Sequence, residues 1–246
     1  MDRLIYVAMT GAKQAMRAMT TVSHNLANVA TTGFRADMQS FGSRPVEGEG
    51  LPTRVNAVVE SQGWNRQNGT VVATGRDLDI AINGEGWLTV QLPDGSEAYT
   101  RAGDLRVTSA GTVENGDGHL VIGKNGPITL PEFQSIFIGD EGSISIVPIG
   151  QDPSTQVQVD RLKLVNPPAE DLVKGPQSLM RLKGGESAVE DGLVRIVTGS
   201  LESSNVNAAE SLVQMIQLSR QYELQLKAVK TAEENEQASA ALLRMQ

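Results

Sequence analysis

The 246-residue chain has no cysteine. A disulfide framework, a thiolate nucleophile, a cysteine-ligated zinc site and thiol redox chemistry are all excluded. Other catalytic side chains are scarce too, with only two histidines, His24 and His119, and an aromatic content of 4%. No apolar run approaches the roughly 18 residues of a membrane-spanning helix, so membrane insertion is not expected. The first apolar stretch, Leu4 to Met9, is too short for a secretory h-region and runs into Thr10 and Lys13, so no cleaved signal peptide is expected. Positive charge is also in deficit. The 21 Lys and Arg against 29 Asp and Glu give a net charge of −8, which leaves no electrostatic footprint for nucleic acid or an anionic membrane.

Glycine and proline are missing from particular places. All ten prolines and 22 of the 25 glycines lie between positions 45 and 200, and residues 201–246 contain neither. A long uninterrupted helix requires such an absence. The chain therefore divides into an N-terminal helix and turn (1–44), a β-rich middle (45–200) and a C-terminal helix (201–246). Net charge follows the same division, at +3, −9 and −2.

The middle reads as strands joined by tight turns. Leu78, Ile80 and Ile82 alternate, as do Leu88, Val90 and Leu92 before the turn pair Asp94-Gly95, so a hairpin is predicted there. A second hairpin joins Ile136 and Ile138 to Ile144 and Ile146 through Asp140-Glu141-Gly142, and Val157, Val159, Leu162 and Leu164 continue the pattern. The predicted fold is mixed: an antiparallel sandwich or open barrel, flanked by two long helices packing as a coiled-coil-like pair.

The first helix is predicted over Asp2 to Asn28, roughly 40 Å long at about 1.5 Å per residue. Ile5, Ala8, Ala12, Ala15, Met19, Val22 and Leu26 recur at spacings of 3 and 4 and draw one narrow seam, whose alanines permit close approach. The last helix is predicted over Val206 to Leu243, roughly 55 Å. One seam holds Leu212, Met215, Ser219, Tyr222, Leu226, Val229, Ala240 and Leu243, interrupted by Glu233 and Glu236, and a second stripe runs through Leu224, Ala228, Thr231, Ala238, Leu242 and Met245. Helices with more contact faces than one chain can cover point to self-assembly, and head-to-tail packing that does not close makes a filament or tube. These seam residues are the candidate assembly interface.

Candidate chemistry is thin. His24 precedes Asn25 on a helix and reads as a polar or interfacial imidazole. Glu114 to His119 lacks the order of acidic residues in an EF-hand loop and reads as a turn. Gly84-Glu85-Gly86 has no third glycine and no following helix, so it reads as a turn between strands. Asp77 and Asp79, two apart, could mimic a glycosidase carboxylate pair, but they read as a solvated strand face. Asn68-Gly69-Thr70 fits a glycosylation acceptor and carries little weight without a secretory signal. No catalytic residue, metal ligand or cofactor is expected.

Both ends carry longer signatures. Asn25-Leu26-Ala27-Asn28 followed by Thr32-Gly33-Phe34-Arg35, and Gly199-Ser200-Leu201-Glu202-Ser203-Ser204-Asn205-Val206 before the last helix, resemble the flagellar rod and hook axial proteins. Leu78-Asp79-Ile80-Ala81-Ile82-Asn83-Gly84-Glu85-Gly86-Trp87 with Tyr99-Thr100-Arg101-Ala102-Gly103 resembles the first β-domain of that family, and the opening Met1 to Met9 is most similar to its proximal-rod members. Arg35 stands where lysine is usual, and Trp87 where phenylalanine is commoner. The resemblance implies a non-enzymatic rod subunit that transmits torque across the periplasm and is exported uncleaved by the flagellar type III apparatus. Its helices would line the rod, its β-domain would face outward, and its partners would be neighbouring proximal and distal rod subunits.

Overall fold

The computed structural model describes residues 3–45, 55–152 and 155–244. Two long helices flank a β-rich centre, and the chain forms two compact units. The helical unit takes residues 1–28, 37–64 and 206–246; the β unit takes 29–36 and 65–205.

The helical unit contains α1 (Arg3–Ala27), β1 (Asp37–Pro45), β2 (Val55–Trp64) and α2 (Ala208–Arg244). Asn207 starts α2, its Oδ1 accepting from the amides of Ala209 (3.0 Å) and Glu210 (3.3 Å), as an N-cap side chain does. The helices run antiparallel: Ala18 and Val22 of α1 pack with Leu218 and Met215 of α2, while Gly11 lies beside Gln225. A Cβ on Gly11 would come within 2.9 Å of the Gln225 side chain. Buried Ala8, Ala12, Ala15 and Ala18 make the α1 surface flat enough for that approach.

The inward face of α2 carries Ser211, Met215, Leu218, Tyr222, Gln225, Val229 and Ala232, again at spacings of 4 and 3, each buried or half-buried. β1 and β2 form an antiparallel hairpin with a bulge at Met38 and Gln39. A two-stranded hairpin alone is marginal. Here α1 supports it: Gln39 donates to the Ala18 carbonyl (3.1 Å), Gln14 accepts from the Val59 amide (3.3 Å), and Val59 joins the helix core. Asn25 completes the attachment with a two-way bond to the Asp37 backbone, at 3.0 and 2.9 Å. Val55–Trp64, grouped by composition with the middle of the chain, thus packs with the helices.

The β unit consists of antiparallel sheets, and no closed barrel forms among its described residues. β3 (Val71–Ala73) and β4 (Ile80–Asn83) open it; β5 (Trp87–Gln91) and β6 (Glu97–Thr100) form the hairpin expected around Asp94-Gly95, closed by the Leu92 amide on Ser96 at 2.9 Å. The second expected hairpin is present as well, pairing Ile136 with Ile146 and Ile138 with Ile144. Val157–Arg161 adds a third strand, whereas Leu164–Val165 pairs with β5 instead. The core joins Ile80 and Ile82 of β4, Leu88, Val90 and Val121 of the nine-stranded sheet, and Leu105 to Ile136, Ile144 and Ile146 of the three-stranded one.

The end of the unit returns to its beginning. Arg195–Thr198 pairs with β4, and Ser200–Glu202 pairs with β3.

Because α1 meets α2 through alanines, enlarging one should force the helices apart. Ala18→Leu is expected to destabilise the helical unit by about 1–3 kcal/mol, read as a lower urea midpoint in far-UV circular dichroism. An unchanged midpoint would mean that the alanine face does not set the helix separation.

Candidate functional site: helix faces and a buried ion cluster

The α1 seam residues Ala8, Ala12, Ala15 and Val22 are buried, and Ile5, Met19 and Leu26 are half-buried. They form the face that packs within this chain. On α2 the expected stripe divides. Met215, Tyr222 and Val229 are half-buried, but Leu212 and Leu226 are 49% and 46% exposed. The stripe that turns inward is shifted by one residue at alternate positions, to Ser211, Leu218 and Gln225. Hydrophobicity favours Leu212 over Ser211 and Leu226 over Gln225, whereas packing against alanines selects the others. Val213, Ile216 (54%) and Leu224 (66%) are exposed with Leu212 and Leu226, as are Tyr6, Met9 and Met16 of α1. The side chain of Leu243 lies outside the described ones.

In the β unit the two terminal signatures meet. The pairing of Ser200–Glu202 with β3 carries the Glu202 side chain into the interior, and the 29–36 segment brings Arg35 to it. Arg35 Nη2 lies 2.8 Å from Glu202 Oε1 and Arg101 Nη1 lies 2.8 Å from Oε2. All three are buried, at 2%, 4% and 1% exposure for Arg35, Arg101 and Glu202. Both guanidiniums also approach Trp87, 5.9 and 5.5 Å from its ring centre, close enough for cation–π attraction. Arg35 further donates to Asn68 Oδ1 (2.9 Å) and the Gln67 carbonyl, Arg101 to the Gly84 carbonyl (2.6 Å), and Glu202 Oε1 accepts the Gly69 amide (2.8 Å).

Two cations share one anion, so the cluster buries excess positive charge. Desolvation pushes the Arg35 pKa down to about 10; Glu202 opposes that shift and Arg101 adds to it. The guanidinium stays protonated at neutral pH.

Gly33 allows this meeting. Its φ is +67°, and a Cβ would lie 2.3 Å from the Arg101 carbonyl carbon, so only glycine fits. Its amide donates to the Glu202 carbonyl at 2.8 Å. Asn205 secures the same segment: Oδ1 accepts from the Ala36 amide (2.7 Å), Nδ2 donates to the carbonyls of Asn65 (3.1 Å) and Gln67 (2.8 Å), and its amide donates to the Phe34 carbonyl (3.2 Å). Lys174 Nζ donates to the Arg35 carbonyl at 2.7 Å and lies 4.2 Å from the Phe34 ring centre. Sequence reasoning used these residues only as signatures. The available signal was a pair of charged residues, Arg35 and Glu202, in otherwise small, polar or apolar motifs.

The weighed catalytic candidates have structural roles. Asp77 is exposed, but Asp79 is buried in a turn rather than on a solvated strand face. Thr74 donates to Asp79 Oδ2 at 2.7 Å and Arg76 lies 3.4 Å from Oδ1, while its carbonyl accepts the Gly199 amide at 2.8 Å. Asp104, bridged to Asp79 through the backbone, has its pKa raised by burial, with Asp117 and Asp79 adding to the shift. His119 is buried against Gln177 (3.0 Å) in the turn that Asn115 closes. His24 bonds Asp37 at 3.0 Å. Among the described residues no group of three or more His, Asp or Glu could hold a metal.

Models of three flagellar families match the chain in order: "Flagella basal body rod protein" over 5–35, "Flagellar hook protein FlgE/F/G D1 domain" over 81–146, and "Flagellar basal body rod FlgEFG protein C-terminal" over 197–242. Together they define an axial structural protein of the bacterial flagellum. Among curated proteins, the flagellar basal-body rod proteins FlgF of Salmonella typhimurium and Escherichia coli are each 38% identical over 251 residues, spanning both chains completely. FlgG of Bacillus subtilis is 28% identical over 255 residues, covering 95% of this chain and 96% of its own. The chain belongs to the FlgF family of flagellar basal-body rod proteins. Its role is structural rather than enzymatic, its place is the flagellar basal body, and it assembles with other axial proteins.

The charge count of the cluster predicts an order of damage. Glu202→Gln leaves two buried guanidiniums without an anion and should cost about 3 kcal/mol or more. Arg35→Gln leaves the Arg101–Glu202 pair intact and should cost less. Thermal melting of both variants checks this, and an equal or larger loss from Arg35→Gln would refute it.

Proposed function

We propose that the exposed apolar face of α2, with Tyr6, Met9 and Met16 of α1, is the surface through which this subunit joins its neighbours in the rod. One observation carries the reading: Leu212, Val213, Ile216, Leu224 and Leu226 stand exposed on a helix whose other face is already covered by its own chain. Apolar groups of that size left together on a surface mark an interaction site. Covering them requires other subunits.

In this proposal residues 1–44 and 201–246 supply the rod core and 45–200 the outer part. The neighbours are proximal and distal rod subunits, and the assembled shaft crosses the periplasm and transmits torque. The chain reaches that site through the flagellar type III export apparatus without cleavage of a signal. The half-buried Met215, Tyr222 and Val229 and the buried α1 seam contribute by holding α1 and α2 together, so that the outward face is presented as a rigid surface.

Swimming in soft agar, combined with circular dichroism of purified variants, tests this. Ile216→Asp and Leu226→Asp should keep the fold and abolish both motility and incorporation into basal bodies, because a buried unpaired carboxylate costs several kcal/mol at each subunit contact. Ala12→Asp should lose the helix pair as well as motility, and Asp77→Asn should change neither. Normal swimming by the Ile216 and Leu226 variants would show that this face is not the assembly surface.

A further inference from the structure

The β unit is built from two separate pieces of chain, the short segment 29–36 and the long one 65–205. The short piece is held from two sides, by Asn65, Gln67, Asn68 and Lys174 on one and by the last residues of the long piece on the other. The Gly33 amide is bonded to the Glu202 carbonyl, the Phe34 carbonyl to the Asn205 amide, the Ala36 amide to Asn205 Oδ1, and the Arg35 guanidinium to the Glu202 carboxylate. We propose that Gly33–Ala36 and Glu202–Asn205 form one cooperative latch, which opens and closes as a whole while the β-core remains folded.

Three features support a latch over a set of independent bonds. First, Phe34, Arg35 and Trp87 are not part of the main hydrophobic cluster, which runs through Val90, Leu105, Val121 and Ile144. Opening the latch therefore need not break that core. Second, the closed state carries costs of its own. Two guanidiniums share one carboxylate, and the buried Nε atoms of Arg35 and Arg101 have no hydrogen-bond partner. Buried donors without partners weigh against the closed arrangement, so the latch belongs at the low-stability end of the unit. Third, its members cannot be satisfied singly. Glu202 binds Arg35 and Arg101 through opposite oxygens while its own carbonyl binds Gly33. Asn205 bonds Phe34 and Ala36 from one side and Asn65 and Gln67 from the other. Removing one member strands buried groups on the others.

The latch joins the two places where family signatures occur, more than 160 residues apart in the chain. Docking of the N-terminal signature is therefore conditional on the chain being in place as far as Asn205. A chain ending before Glu202 would leave Arg35 and Arg101 with no anion to enter the interior beside. Opening would free the segment that follows α1 and the segment that precedes α2 in the same event.

Hydrogen exchange of the full-length protein, read at single amides, separates the possibilities. In Asn205→Ala the Ala36 amide loses its acceptor and must exchange faster. The signature of the latch is the Gly33 amide, whose acceptor is the main chain of Glu202. It should accelerate with Ala36 by about tenfold or more, and in the wild-type protein and in each variant both latch amides should be far less protected than those of Val90 and Val121. Glu202→Gln removes neither acceptor and should accelerate both latch amides in the same way. If only Ala36 responds in Asn205→Ala, or neither amide responds in Glu202→Gln, the bonds are independent and there is no latch. If Gly33 and Ala36 are as protected as Val90 and Val121 in the wild-type protein, the segment unfolds only with the whole unit, and the proposal also fails.

Discussion

A single carboxylate, that of Glu202, sits between two guanidiniums with almost no water to screen any of the three. Much of the arrangement around it follows from that constraint. Burying Arg35 and Arg101 requires an anion at that point, and the strand Ser200–Glu202 must pair with Val71–Ala73 to deliver it. The segment bearing Arg35 must in turn pass so close to Arg101 that only glycine is accommodated at position 33. Trp87 then receives the faces of both cations. A buried pair of this kind is weak evidence for stability, since desolvation consumes much of the Coulomb gain. It does specify geometry, because each guanidinium must meet its own oxygen of the one carboxylate.

The helical unit rests on a different kind of constraint. Its inner surfaces combine alanine on α1 with a mixture of small, polar and apolar residues on α2, so close approach and shape hold the pair together more than large apolar volume does. That leaves the larger side chains, Leu212, Ile216, Leu224 and Leu226, on the outside. An ordinary amphipathic helix sends its leucines inward. Reversal of that habit is what the proposed assembly surface would require, since its leucines would be covered by neighbouring subunits.

Where local chemistry decides structure, the sequence was legible. The absence of glycine and proline marked the last helix and the 3-and-4 spacing of small and apolar residues marked the first, each to within a few residues, and Asp94-Gly95 and Asp140-Glu141-Gly142 marked the two hairpins. The α1 seam was readable because its alanines repeat without competition from larger residues on the same face. Three features were not readable. The face of α2 that turns inward could not be told from the outward one, because Leu212 and Leu226 outrank Ser211 and Gln225 in hydrophobicity while the alanine face of α1 takes the smaller or more flexible residue. Asp79 looked solvated because two-residue spacing says nothing of Thr74 and Arg76, which bond it in a turn. The ion cluster depends on residues 66 and 101 positions apart in the chain, and no periodicity reports such a meeting. The attachment of Val55–Trp64 to the helices, through Gln14, Gln39 and Val59, is long-range in the same sense.

The alanine face of α1 has a consequence for how such a subunit can diversify. Residues there are already near the minimum of side-chain volume, so substitution can only add atoms where there is no room for them. The outward positions of α2 face no such limit within the chain and can change size, shape or charge without disturbing the pair behind them. One protein therefore carries a slow surface and a fast one back to back on the same helices. A duplicated gene could acquire a new neighbour by altering the second alone, and a stacked series of related subunits, each fitted to the next, is within reach of that route.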